Sequence, residues 1–146
     1  MRTRIVLSLF ASCLAFSAAL AQSSVTAGDL QHHRWVLESI DGEALLQAEG
    51  GRVPEIDFGE QMRVAGNTGC NQFNGQGVLR DGNFLIEAMA VTRMMCAPPW
   101  SDIELKVETI LSSESSISID DDRKLTLASA NGTLVFIPSD LSLIHI

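Results

Sequence analysis

The sequence predicts a mainly β (α+β) domain, a small antiparallel β-barrel or sandwich-like fold with one packed helix, and three observations lead there. Short apolar and β-branched runs recur at spacings of about 8 to 12 residues, the pattern of small barrels and sandwiches. Asp-Gly or Asn-Gly dipeptides at 41–42, 81–82 and 131–132 separate several of these runs. After Pro98-Pro99 a single stretch changes from twofold to helical periodicity.

Each segment follows in turn. Residues 1–21 place Arg2 and Arg4 before an apolar run from Ile5 to Leu20 that ends Ala19-Leu20-Ala21. That order is the grammar of a cleaved secretory signal, and the run is too short to favour a transmembrane anchor. The mature chain is expected to begin near Gln22, in the periplasm or secreted. A lipoprotein anchored at the outer membrane through Cys13 is the minority alternative. Residues 22–31, rich in Ser, Thr, Gly and Gln, read as a tether, and 32–138 as the domain. Trp35 to Ile40 forms a strand closed by Asp41-Gly42. In "VPEIDFGEQMRVAGN" Ile56 and Phe58 share one face, and Met62 and Val64 continue it beyond Gly59-Glu60, which predicts a hairpin.

Asp81-Gly82 between "GVLR" and "NFLIEA" predicts a second hairpin. "AVTRMMC" reads as a further extended segment. Ser101 and Glu104 have the spacing of a capping box, and Ile103, Val107, Ile110 and Leu111 fall on one side of the helix that would follow. "SISI", a charged turn at 120–124, "LTLAS" and "TLVFIP" return to strands, with Asn131-Gly132 expected at the centre of a type I′ turn. Residues 139–146, "SDLSLIHI", have no partner segment after them and are expected to be a non-native or disordered tail.

Composition narrows function. The chain carries 10 basic and 18 acidic side chains, a formal net charge of −8, and loss of Arg2 and Arg4 with a signal would make it more acidic. Such a surface repels phosphate backbones and anionic headgroups, so no nucleic-acid partner is expected, and no transmembrane segment after signal cleavage. A chain of this size accommodates one domain, expected to be a monomer. Of three cysteines, Cys70 and Cys96 remain after cleavage, and in an oxidising compartment they are candidates for a disulfide. If paired, they close a loop of about 26 residues, which the chain-entropy model values at about 3 to 4 kcal/mol.

The glycine-rich stretch "AGNTGCNQFNGQG" invites a chemical reading. It lacks the Lys and Ser/Thr of a phosphate-binding loop and runs into a strand where a dinucleotide fingerprint needs a helix. His32 and His33 have no partnered spacing with a C-x-x-C, so no metal is expected, and no cofactor. Cys70 has no neighbouring base, and Asp120-Asp121-Asp122 lacks the glycine and distant glutamate of a calcium loop. No catalytic constellation emerges. What remains is backbone geometry: glycine reaches conformations closed to other residues and asparagine tolerates the left-handed region, so the stretch with Gly66, Gly69, Gly75 and Gly77 reads as a tight, bulged crossing between strands.

"GNTGCNQFNGQG", followed by "LIEAMAVTRMMC", with Trp35-x-Leu37 and Gly42 upstream and Leu125-x-Leu127 downstream, resembles the META domain, the HslJ-like family of bacterial envelope proteins. The matching positions are Gly69, Cys70, Asn71, Gly75, Thr92, Met94 or Met95, and Cys96, and with Trp35 and Gly66 they form a structural motif. The resemblance implies a small antiparallel β domain with a packed helix, exported to the periplasm or held at the outer membrane, without established enzymatic activity. It also implies links to heat shock and novobiocin tolerance, and a likeness to pilot lipoproteins of secretion systems. Gly77, where an aromatic is common, and "SSISID", which has none, depart from the pattern and are expected to thin the core or open a cavity. Three functions follow. The first is a non-enzymatic envelope module binding an unknown envelope protein partner. The second is a carrier of a small apolar ligand or lipid, with Met62, Met89, Met94 and Met95 lining its cavity. The third is a thiol-redox protein using Cys70 and Cys96.

Overall fold

A computed structural model of the chain describes residues 24–45 and 51–142. The expected signal, the start near Gln22, the Cys13 alternative and His145 lie outside the described residues. The elements run α1 (Ala27–Leu30), β1 (Arg34–Ile40), β2 (Glu43–Ala44), β3 (Glu55–Phe58), a 3-10 turn (Glu60–Met62), β4 (Arg63–Asn67), β5 (Gln72–Arg80), β6 (Asn83–Val91), α2 (Trp100–Leu111), β7 (Ser115–Ile119), β8 (Leu125–Ser129), β9 (Gly132–Pro138) and α3 (Ser139–Ser142). Every strand pairing is antiparallel. The order β1-β3-β4-β5-β6-β7-β8-β9 closes on itself through β1–β9, giving an eight-stranded barrel, with β2 a short hairpin arm on β1.

Twofold alternation sends one face of each strand inward. Ile56, Phe58, Val64, Phe73, Phe84, Ile86, Ile117, Leu125, Leu127, Leu134 and Phe136 meet there. In β1 the alternation runs Trp35, Leu37 and then Ile40. The slip in register with β9 between Leu37 and Ser39 accounts for it, because one extra residue re-aims the strand. Phe58 and Phe84 meet edge to face, centroids 5.6 Å apart. Gly77 does not open a cavity, contrary to expectation: a Cβ there would stand 2.9 Å from Val64 Cγ2 and 3.1 Å from Phe84 Cε2, so neighbouring side chains already fill the space.

Two helices stop the ends. Of the α2 face that the periodicity predicts, Val107, Ile110 and Leu111 are buried and Ile103 is partly buried, and Trp100 is buried beside them. The helix covers the end ringed by the β1–β2, β4–β5 and β8–β9 connections, with Ile110 beneath Gly132 and Trp100 beneath Gly69. At the other end sits α1, inside the segment expected to be a tether. Leu30 is fully buried, and its carbonyl accepts the Trp35 Nε1–H at 3.0 Å. The Asp29 carboxylate accepts from both the backbone N–H and the hydroxyl of Thr26. Two bulky apolar residues, Val25 and Leu30, in a polar stretch leave no periodicity, which is why composition alone suggested a tether.

The turns test local chemistry. Asp41-Gly42 and Asp81-Gly82 both adopt the positive φ pairs their hairpins require, 52° and 81°, 51° and 78°. The last hairpin differs. Ser129 pairs with Gly132, so Ala130-Asn131 is the loop and only Gly132 has positive φ. Asn131 instead donates through Nδ2 to Ser113 Oγ, tying the turn to the end of α2. Nor does the fold break off at Pro138: α3 follows, and Asp140 accepts from Arg123 at 2.7 Å.

Candidate functional site

Residues 68–71, between β4 and β5, form a four-residue crossing in which almost every polar atom is used. Gly69, at φ +103°, donates its N–H to Asn67 Oδ1. Thr68 N–H donates to the Asn71 carbonyl at 2.8 Å, and Thr68 Oγ1 accepts the Asn71 N–H at 3.0 Å. This self-bonded loop aims the Asn71 side chain inward, where it is 1% exposed.

There the Asn71 amide does the work of a strand partner. Its Oδ1 accepts the Met94 N–H at 2.6 Å and the Thr92 hydroxyl at 2.9 Å, while Nδ2 donates to the Met94 carbonyl at 3.0 Å. The second Nδ2 proton goes to Glu104 Oε1 on α2, an oxygen also reached by Thr68 Oγ1. Thr92 N–H donates to the Gln72 carbonyl, and Thr92 Oγ1 accepts the Gln72 N–H. One side chain thus joins the β4–β5 crossing, the segment after β6 and helix α2.

This arrangement corrects two expectations. "AVTRMMC" is not a strand beyond Val91, because a side-chain amide takes the backbone bonds of Met94. Ser101 and Glu104 do not form a capping box: α2 begins at Trp100 with Pro99 as its N-cap, and the Glu104 carboxylate is turned to Asn71 and Thr68.

The covalent tie lies alongside. Cys70 and Cys96 are joined as a disulfide with their Cα atoms 6.0 Å apart. Arg93 adds a bidentate bond to Glu108 at 2.8 and 2.9 Å, and that carboxylate holds the guanidinium above its ordinary pKa. Around this rigid frame the surface turns apolar: Met94 is 63% exposed, Met95 100% and Leu105 67%. Met95, read as a structural motif residue, therefore has no place in the core, and Met94 acts through its backbone.

Of the remaining motif residues, Trp35 lies in β1 beside α1, and Gly66 and Gly75 lie within the sheet. A Cβ at Gly66 would stand 2.0 Å from the Glu55 carbonyl oxygen. Gly75 faces the expected bulge, which falls in the partner strand: Asn74 pairs with Ala90 and Gln76 with Glu87, with Ala88 at φ 50° between. Thr68, Glu104 and Trp100 are the members that sequence reasoning missed. A buried Thr-x-x-Asn and an acid already explained as a cap left no separate signal.

The methionine-lined cavity is not formed. Met62 and Met89 pack against the core, whereas Met94 and Met95 face outward. Among the described residues no group of three or more His, Cys, Asp or Glu could hold a metal ion. No helix among them is long and apolar enough to cross a membrane.

A closed antiparallel barrel stopped by one long helix, with its β4–β5 crossing bound to that helix by a buried asparagine, defines a class of small β-barrel domains. The chain belongs to the META-domain family, whose model matches residues 28–140. It is 38% identical over 119 residues to "Heat shock protein HslJ" of Escherichia coli (strain K12), covering 81% of this chain and 82% of that protein. Two proteins of NMR-determined structure share the fold. One is 38% identical, with a TM-score of 0.68 over 80% of this chain and 97% of its own. The other, from Burkholderia xenovorans, is 26% identical, with a TM-score of 0.61 over 84% of this chain and 94% of its own.

Proposed function

We propose that this chain is a non-catalytic module of the bacterial envelope that works by holding a protein partner. The observation that carries the proposal is the exposed Met94 and Met95 on a segment fixed by Asn71 and the Cys70–Cys96 bond. Exposed methionines on a rigid frame adapt to a partner's surface while the frame loses little entropy on binding. Export is supported by the N-terminal grammar of residues 1–21 and by a disulfide, which persists in oxidising compartments. A role under stress is supported by the name of the heat-shock relative.

The carrier reading is weaker, because the barrel interior is filled by Phe58, Phe73, Phe84 and Phe136. The thiol-redox reading needs an accessible thiolate, and both candidate sulfurs are bonded to each other. Photo-crosslinking in living bacteria tests the proposal. A photoreactive residue at Met95 or Leu105 is expected to yield discrete adducts with an envelope protein, and one at Thr126 of β8 to yield none. Equal adducts at all three positions, or none at Met95 and Leu105, would refute it.

A further inference from the structure

The outer wall of the barrel between β3 and β6 carries a second feature, independent of the methionine surface. Register places Glu55, Asn67 and Gln72 in one line across three strands, and Asp57, Ala65, Asn74 and Ala90 in the next. Over this wall lies a cleft of about 460 Å³ bordered by Arg52, Glu55, Asn67, Gln72 and Asn74.

Asn67 singles the cleft out. The residue is 6% exposed, and its Oδ1 is committed to the Gly69 N–H. Its Nδ2 has no partner among the described residues. No fully buried side-chain nitrogen or oxygen among them lacks a partner, so this amide nitrogen opens onto the cleft it borders. A nearly buried amide left with a free donor costs stability unless a ligand or water takes it. The Gln72 and Asn74 side chains likewise bond to nothing else among the described residues. Glu55 is held only loosely, 4.0 Å from Arg34 Nε, and Arg52 makes no ion pair among the described residues.

We propose that this cleft binds a short peptide with free termini. The ligand's carboxylate is taken by Arg52 and Asn67 Nδ2, its ammonium by Glu55, and its amides by Gln72 and Asn74. Side-chain amides match peptide groups donor for acceptor. A zwitterion carries no net charge, so the acidic field of a chain at −8 does not repel it, as it would a polyanion. Phe73, the aromatic at the border, is buried, so no ring face is presented for stacking a sugar.

The test is a titration of isotope-labelled protein with trialanine, followed by amide NMR shifts. Shifts are expected at Gly66, Asn67, Gln72 and Asn74. C-terminally amidated trialanine, or the Asn67→Asp variant, which keeps the Oδ1 acceptor but replaces the donor, is expected to bind about tenfold more weakly. N-acetyl trialanine is expected to weaken similarly through Glu55. If Asn67→Asp does not fold, Arg52→Ala and the capped peptides carry the same comparison. The proposal is overturned if trialanine shifts none of these amides in the millimolar range, if the capped peptides bind as well as the free one, or if chitotriose shifts them while trialanine does not.

Discussion

Asn71 shows how one amide can stand in for a strand. Its Oδ1 and Nδ2 make the bonds to Met94 that a neighbouring backbone would otherwise make, and the same amide grips Glu104. Asn71→Ala strands those partners, at about 1 to 3 kcal/mol for each one left buried and unsatisfied. The expected outcome is a lower urea midpoint together with faster hydrogen exchange at the Met94 amide. A lower midpoint with unchanged exchange there would mean that the segment is held by the disulfide alone. The residue was visible in the sequence as part of a motif. Its role was not, because its partners lie 23 and 33 residues away, and Glu104 looked like a local cap.

Glycines separate in the same way. Gly82 needs only a positive φ and has no atom within 4 Å of a built Cβ, so Gly82→Ala is expected to cost about 1 kcal/mol. Gly75→Ala drives a methyl to 2.5 Å from Ile86 Cγ2 and 3.0 Å from the Glu87 carbonyl, and is expected to cost more, about 1 to 3 kcal/mol. Chemical denaturation of both variants checks the order, and equal costs would contradict the close approach.

Among the elements, α1 is the one whose importance exceeds its length. Leu30 is its only buried residue, and Leu30→Ala is expected to lose about 2 to 5 kcal/mol, read by thermal melting. The Thr26 hydroxyl and N–H hold the Asp29 carboxyl below its ordinary pKa. A depressed carboxyl stabilises the fold above the ordinary aspartate range and ceases to as pH falls through its folded value. Asp29→Asn should therefore flatten the acid limb of melting temperature against pH while leaving it parallel near neutrality. An unchanged acid limb would show the pair to be unformed in solution.

The elements also show what could be read in advance. The hairpins at 41–42 and 81–82 were legible because positive φ restricts the residue types to very few. The one at 130–131 slipped by a residue because Ala130-Asn131 satisfies the loop while Gly132 is claimed by its closeness to Asp41 and Ile110. Helix α2 was legible from its period, and its start was displaced because Pro99, not Ser101, precedes the first turn.

At the scale of the whole molecule the disulfide and the barrel seam act on different lengths of chain. Cys70 and Cys96 are 26 residues apart, and Cys70→Ser or Cys96→Ser is expected to lose about 3 to 4 kcal/mol, several degrees of melting temperature, with the fold retained. Circular dichroism with melting checks it, and an unchanged melting temperature would deny the bond a stabilising role. The seam is different. Strand β1 pairs with β3 early in the sequence, but its other edge waits for β9, from Leu134 to Pro138.

That waiting has a consequence for how the protein is made. A chain emerging from a ribosome or a translocation pore presents β1 with one edge unpaired until β9 has followed it, so the barrel cannot shut before that strand appears. Residues 70 to 96 emerge well before that moment. An oxidant meeting the growing chain would find the two cysteines while the barrel is still open, and the covalent bond would precede the fold it later braces.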